Sequence, residues 1–319
     1  MCQITKCDLH SGVIRWKQPA AFRRGEPMKA NLIELLKITV ASLSVLTALG
    51  CSPEGQTARS IELASPDATT TIVNGRIVTA DDVISKSTVA LYLKFPDSTR
   101  VENFCTATII ASDTLVTAAH CLADVAKMFD LTVDQLLPNL RIGLGLKLVK
   151  SIDDSRTQWI ELKSATVHPD YVMAEDALEK AGNGVAFYDI AIIRLNSSIP
   201  AGYKAAKLLD SPARLVAGLK LVLAGYGVTR GAPFPVASNE LRKTEVTVDN
   251  AALNPVQFAY KVTNGQTACS GDSGGPAYMV EGNQLTLVGA TSWGDGPCVQ
   301  QGVYTSIPAM YDWIQQTIH

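Results

Sequence analysis

The sequence predicts an all-β fold, a sandwich or a barrel. Three observations carry this expectation. From Ile72 onward, short β-branched runs recur, many of them alternating. Gly, Pro, Asp or Asn bounds each run, as strand-ending turns require. Helix-period patterns are few, and many short strands with few helices mark sandwiches and barrels.

Taken in chain order, the first segment is an address label rather than a fold. Met28-Lys29 opens a plausible leader, with Lys29 and Lys37 as the charged region and Ile38 to Leu49 as the apolar region. That apolar run is shorter than the ~20 residues a spanning helix needs. It ends in Thr47-Ala48-Leu49-Gly50-Cys51, which resembles the lipobox of bacterial lipoproteins and implies Cys51 as a lipidation site. An ordinary secretory signal, in which Cys51 is incidental, is the alternative. Residues 1–27 lie upstream, as a start codon placed too early or an unusually long leader would leave them. Residues 52–71 have the Pro, Gly, Ser and Thr content of a linker.

The body follows, with strands expected at 87–93, 107–110, 158–162, 219–224, 245–248 and 285–290. Leu122 to Leu137 has apolar residues at helical spacing, and Pro308 to Ile318 reads as a terminal helix with a packed face. Across all 319 residues, 28 basic and 30 acidic side chains give a net charge of −2, which gives no support to a nucleic-acid binder or a polybasic membrane protein. A hydrophobic share of 47% with 18% charged excludes wholesale disorder, and the length fits roughly two domains.

Candidate chemistry lies in three stretches. Of four histidines, His10 precedes the leader, His319 is terminal and His168 sits in the turn-like Val167-His168-Pro169-Asp170-Tyr171. His120, in Thr117-Ala118-Ala119-His120-Cys121, is therefore the natural base. Asp189 leads the apolar run Ile190-Ala191-Ile192-Ile193, an acid at the mouth of a buried strand. Gly271-Asp272-Ser273-Gly274-Gly275 surrounds a hydroxyl with glycines that bring amides close to a substrate carbonyl. A hydroxyl nucleophile needs a base, a carboxylate to orient it and amides to receive an oxyanion. Each stretch alone is ordinary turn or strand-end sequence.

Together, in the order His, Asp, Ser, they resemble the chymotrypsin/trypsin family of serine proteases from Ile72 to His319. That resemblance implies two six-stranded antiparallel Greek-key β-barrels with a C-terminal α-helix, the barrels covering about 72–200 and 201–319. It implies a triad of His120, Asp189 and Ser273, an oxyanion hole at the amides of Gly271 and Ser273, and Ser292 supporting Asp189. Thr267, Ser292, Trp293, Gly294 and Gly302 become substrate-binding positions, with neutral Thr267 at the pocket floor favouring apolar or broad specificity over Arg or Lys. Gly225-Tyr226-Gly227 stands where the family usually has Gly-Trp-Gly.

The gap from His120 to Asp189 is longer than the family pattern, with the surplus expected as surface insertions at 122–137 and 174–187. Cys2 and Cys7 go with the leader, and four body cysteines allow three pairings. The resemblance selects Cys105–Cys121 and Cys269–Cys298. Ile72-Val73-Asn74-Gly75 resembles the family's mature N-terminus, implying cleavage after Thr71 and a pair between the freed Ile72 ammonium and Asp272. No metal or organic cofactor is expected. The expected partners are protein or peptide substrates and an activating protease, with a lipid anchor through Cys51, no nucleic acid and a monomeric body. Export to a bacterial envelope, or secretion after processing, follows from the leader. A non-catalytic relative using the same fold for binding is the competing class, but such relatives typically lose a triad member or an oxyanion glycine.

Overall fold

A computed structural model describes residues 72–172, 188–295 and 297–319. The leader, Cys51, the linker, Thr71 and the insertion at 174–187 lie outside the described residues. The first barrel is built from β2 to β7, after a two-residue strand β1 (Arg76–Ile77). Its strands are β2 (Thr88–Lys94), β3 (Val101–Ala111), β4 (Thr114–Thr117), β5 (Leu140–Leu144), β6 (Gln158–Val167) and β7 (Ala191–Leu195). They close in the order β2-β3-β4-β7-β6-β5.

The second half comprises β8 (Lys207–Leu208), β9 (Lys220–Gly225), β10 (Arg242–Asn254), β11 (Gln257–Lys261), β12 (Pro276–Glu281), β13 (Gln284–Gly294) and β14 (Gln301–Ser306). The path β10-β11-β14-β13-β12-β9 returns to β10, closing a second six-stranded antiparallel barrel. Two short strands lie off this ring, β1 against β10 and β8 in parallel against β13. Each expected strand is present, most of them extended beyond the expected ends.

Period-two alternation explains why several strands are apolar on both faces. In β2, Val89 and Leu91 point into the first barrel's core, while Ala90 and Tyr92 join a separate apolar cluster. In β7, Ala191, Ile193 and Leu195 point inward, and Ile192 joins that second cluster. The shared cluster also takes Tyr226 and Tyr278 from the second half and Ile307, Met310 and Ile314 from the C-terminal helix. The second barrel's own core includes Leu221, Leu223, Phe258, Tyr260, Val288 and Tyr304.

The helix expected over 122–137 is two helices, α1 (His120–Met128) and α2 (Val133–Leu136). Asp130 adopts φ 56°, which stops α1. Thr132 then caps α2 reciprocally with Gln135, accepting from its amide at 3.2 Å while the Gln135 Oε1 accepts from the Thr132 amide at 2.8 Å. The segment is thus a folded helical insertion rather than an open loop. The terminal helix α3 (Ile307–Ile318) matches expectation and buries Ile307, Met310 and Ile314. Among the described residues, no helix is long and apolar enough to cross a membrane.

Candidate active site

The register of the first barrel brings two distant residues to one rim. Thr117 at the end of β4 pairs with Ala191 at the start of β7. His120 lies three residues beyond the first and Asp189 two before the second, so both leave the barrel at the same edge. There the His120 Nδ1 meets Asp189 Oδ2 at 2.8 Å, and the His120 amide donates to Asp189 Oδ1 at 3.0 Å. The second half completes the carboxylate's shell. Ser292 Oγ donates to Asp189 Oδ2 at 2.6 Å, and Thr305 Oγ1 donates to the Asp189 carbonyl at 2.9 Å. Gln257 Nε2 in turn donates to Ser292 Oγ at 3.3 Å.

Electrostatics follow from this shell. Burial works against ionisation of Asp189, but the His120 charge and the hydrogen bonds from His120 and Ser292 hold its carboxyl below the ordinary 3.8. Burial also opposes a charged His120, and the Asp189 carboxylate outweighs it, holding the imidazole above 6.5. The ring keeps 24% of its side-chain surface exposed, so it is reachable from the cleft.

Ser273 lies on the loop between β11 and β12. Gly274 fits there because a Cβ would sit 2.1 Å from Thr117 Oγ1 and 2.6 Å from the Ala118 nitrogen. That approach seats the loop against the strand end leading to His120. The Cys121 Sγ lies 3.7 Å from the Ser273 carbonyl oxygen. The loop's amides divide into two sets. Those of Asp272, Gly274 and Gly275 donate to the carbonyls of Cys269, Thr291 and Asp272 at 2.8 to 2.9 Å. Those of Gly271 and Ser273 have no acceptor among the described residues.

Both expected bridges are present, Cys105–Cys121 and Cys269–Cys298. Cys105, His120 and Cys121 place their donor atoms within 4.8 Å of one another. The two sulfurs are bonded to each other, so they offer no thiolate to a metal. His168 is buried, stacked on Tyr188 with ring centroids 4.7 Å apart and packed on Trp313. Burial holds it below its ordinary value, and it stays apart from the His120 pair.

A cavity of about 220 Å³ opens beside Ser273, lined in part by Ser292, Trp293, Gly294, Asp295 and Gly302. Thr267 is not among its lining residues. It is fully buried, its hydroxyl 2.8 Å from that of Tyr260 and donating to the Ala268 carbonyl. Gly302 is required there by packing, since a Cβ would lie 2.4 Å from the Tyr260 hydroxyl. The Asp295 carboxylate accepts from the amides of Val299, Gln300 and Gln301 at 2.8 to 3.1 Å. Those three amides orient it toward the short loop to Gly302, while Asp295 also lines the cavity.

Ile72 is buried, and Val73 bridges to Thr267. Asp272 is buried as well, its carboxylate accepting from the amides of Gly227 and Cys269 at 2.8 and 2.9 Å. Burial drives its carboxyl up to about 7 despite those two bonds. A Cβ at Gly225 or Gly227 would come within 2.1 or 2.6 Å of that side chain, so the Gly-Tyr-Gly turn is shaped around it. Sequence reasoning missed Gln257, Tyr260 and Thr305, which are ordinary strand residues whose relevance arises only from the partner each strand presents.

The chain is similar in sequence to known proteins. The family model described as Trypsin matches residues 72–314. Fibrinolytic enzyme isozyme C of Lumbricus rubellus is 32% identical over 233 residues, covering 66% of this chain and 86% of that protein. Trypsin of Phaedon cochleariae is 28% identical over 235 residues, covering 68% and 80%. The chymotrypsin-like serine proteinase of Haliotis rufescens is 30% identical over 233 residues, covering 67% and 80%.

Proposed function

The chain belongs to the trypsin family of serine proteases, and we propose that it is an exported endopeptidase using His120, Asp189 and Ser273. Ser273 Oγ attacks the scissile carbonyl while His120 Nε2 takes its proton. The amides of Gly271 and Ser273 receive the oxyanion. His120 then returns the proton to the leaving amine, leaving an acyl-enzyme that water hydrolyses by the same relay. Asp189 orients the imidazole and stabilises its charged form. The observation that carries this reading is the pair of His120 with buried Asp189 at 2.8 Å, braced from the second barrel by Ser292.

Substrate side chains enter the cavity beside Ser273. Asp295 is the one charged residue among the described residues lining that cavity, and its carboxylate is turned to three backbone amides, so the preference is apolar or broad. Activation is cleavage after Thr71, freeing the Ile72 ammonium to pair with Asp272. Buried Ile72 and the raised carboxyl of Asp272 support that reading. Cys51 carries the lipid anchor, so the same cut releases a monomeric catalytic body.

One preparation tests the proposal. Processed protein is treated with a fluorophosphonate probe, alongside the Ser273→Ala variant, and offered a peptide library. Labelling of the parent alone, with cuts after apolar residues, is expected. Equal labelling of both proteins overturns the enzyme mechanism, and cuts confined to Arg or Lys overturn the specificity.

A further inference from the structure

One residue of the first barrel grips the nucleophile loop at two points. Thr106 lies in β3 and is fully buried. Its amide donates to the Ser273 carbonyl at 2.9 Å. Its hydroxyl donates to the Gly271 carbonyl at 3.0 Å and accepts from the Tyr226 amide at 3.3 Å. Its own carbonyl accepts from Thr117 Oγ1 at 2.9 Å, which ties it to the strand end that leads to His120.

From this geometry we infer that Thr106 is a positioning residue for the oxyanion hole, acting through the backbone of Gly271. The inference rests on the proposed serine-protease mechanism. Gly271 has φ 92°, where a glycine moves at little steric cost, so its amide direction is not fixed by its own backbone. Two outside bonds fix it. The Val228 amide donates to the Ser270 carbonyl at 2.8 Å, setting the peptide plane before Gly271. The Thr106 hydroxyl holds the Gly271 carbonyl in the plane after it, together with the Asp272 amide's bond to the Cys269 carbonyl. The Gly271 amide, one of the two loop amides without a protein acceptor, lies in the first of those planes, which hinges on the second at the Gly271 Cα. Loss of the hydroxyl leaves that second plane on the Asp272 amide alone and strips the Tyr226 amide of its acceptor, so the loop loses definition where an oxyanion must be met. An oxyanion donor gains its effect from being held ready before charge develops.

The test compares Thr106→Val and Thr106→Ser in the processed enzyme. Valine keeps the shape and removes the hydroxyl, and serine keeps the hydroxyl. Thr106→Val is expected to lower kcat on the order of 10- to 100-fold, less than outright loss of a donor, with KM held within about twofold. The affinity of a peptide aldehyde, whose adduct carries the oxyanion, should fall by a similar factor. Binding of the product peptide should stay unchanged. Thr106→Ser should restore kcat to within about threefold of the parent. If the valine variant does not fold, Thr106→Ala removes the same hydroxyl without adding bulk. Unchanged kcat and aldehyde affinity in a folded Thr106→Val or Thr106→Ala protein overturns the inference. So does equal impairment of the serine variant. Activity retained by Ser273→Ala instead overturns the underlying mechanism, so the two failures are distinguishable.

Discussion

Asp189 and His120 show how burial and pairing trade against each other in one pair of side chains. The carboxylate gives up solvent but gains three hydrogen bonds from His120 and Ser292, and it stays ionised below its ordinary value. The imidazole is pulled up by that carboxylate. A base must be neutral to accept the Ser273 proton, so kcat/KM should rise with pH through a midpoint above 6.5. In Asp189→Asn the upward pull is gone while burial remains, so the midpoint should fall, and kcat should drop on the order of 10³- to 10⁴-fold. A pH–rate profile of both proteins checks this, and an unshifted midpoint in the variant counts against the pairing. The same pair affects stability with opposite signs. The lowered carboxyl stabilises above 3.8 and loses that contribution as pH falls through its folded value. The raised imidazole stabilises below 6.5 and loses its part as pH rises through its folded value.

At the scale of elements, the Cys105–Cys121 bridge joins β3 to the first turn of α1, the turn that holds His120. Closing a loop across a sequence separation of 16 stabilises by about 3 kcal/mol in the chain-entropy account. The double variant Cys105→Ala/Cys121→Ala should therefore melt roughly 6 to 12 °C lower, using about 2 to 4 °C per kcal/mol for a domain of this size. A differential scan against the parent measures it, and a melting point within a degree of the parent would show the helix start is held by packing alone. The strands are legible in the sequence because alternation and β-branching are local signals, and Glu245 to Val248 displays both. The break in the 122–137 helix was less so, since helical periodicity continues past Asp130 and the stop lies in one left-handed residue. Thr132-x-x-Gln135 is a readable cap once a restart is suspected. Residues such as Thr305 and Gln257 left no trace, because their value depends on which strand end a closed barrel brings opposite Asp189. Thr267 enters at the pocket floor only through the resemblance, and no local signal in the sequence tells that its hydroxyl turns toward Tyr260.

For the molecule as a whole, the proposed cleavage after Thr71 has to act on the nucleophile loop from outside the barrels, and Asp272 offers a measurable route. In the uncleaved chain its carboxyl is buried with two amide donors, no cation pairs with it among the described residues, and its value rises to about 7. The native state then holds more protons than the unfolded chain between about 4 and 7, so stability falls as pH rises across that window and levels off above it. A shift of this size corresponds to at most about 4 kcal/mol. His120 slopes the same way, so the Asp272 share must be separated by substitution. Cleavage after Thr71 gives Ile72 an α-ammonium, whose ordinary value is about 7.7 to 8.0. Beside Asp272 that charge would draw the carboxyl back down and remove the loss. In a Ser273→Ala background, Thr71→Arg would let an arginine-specific protease make the cut on demand. Urea midpoints at pH 5 and pH 8 should then fall steeply for the uncleaved protein and little for the cleaved one, and the two should differ most near neutrality. Asp272→Asn should flatten the uncleaved protein to the slope left by His120. Equal slopes before and after cleavage would mean the new terminus never reaches Asp272, and activation would need a different link to the Gly271 loop.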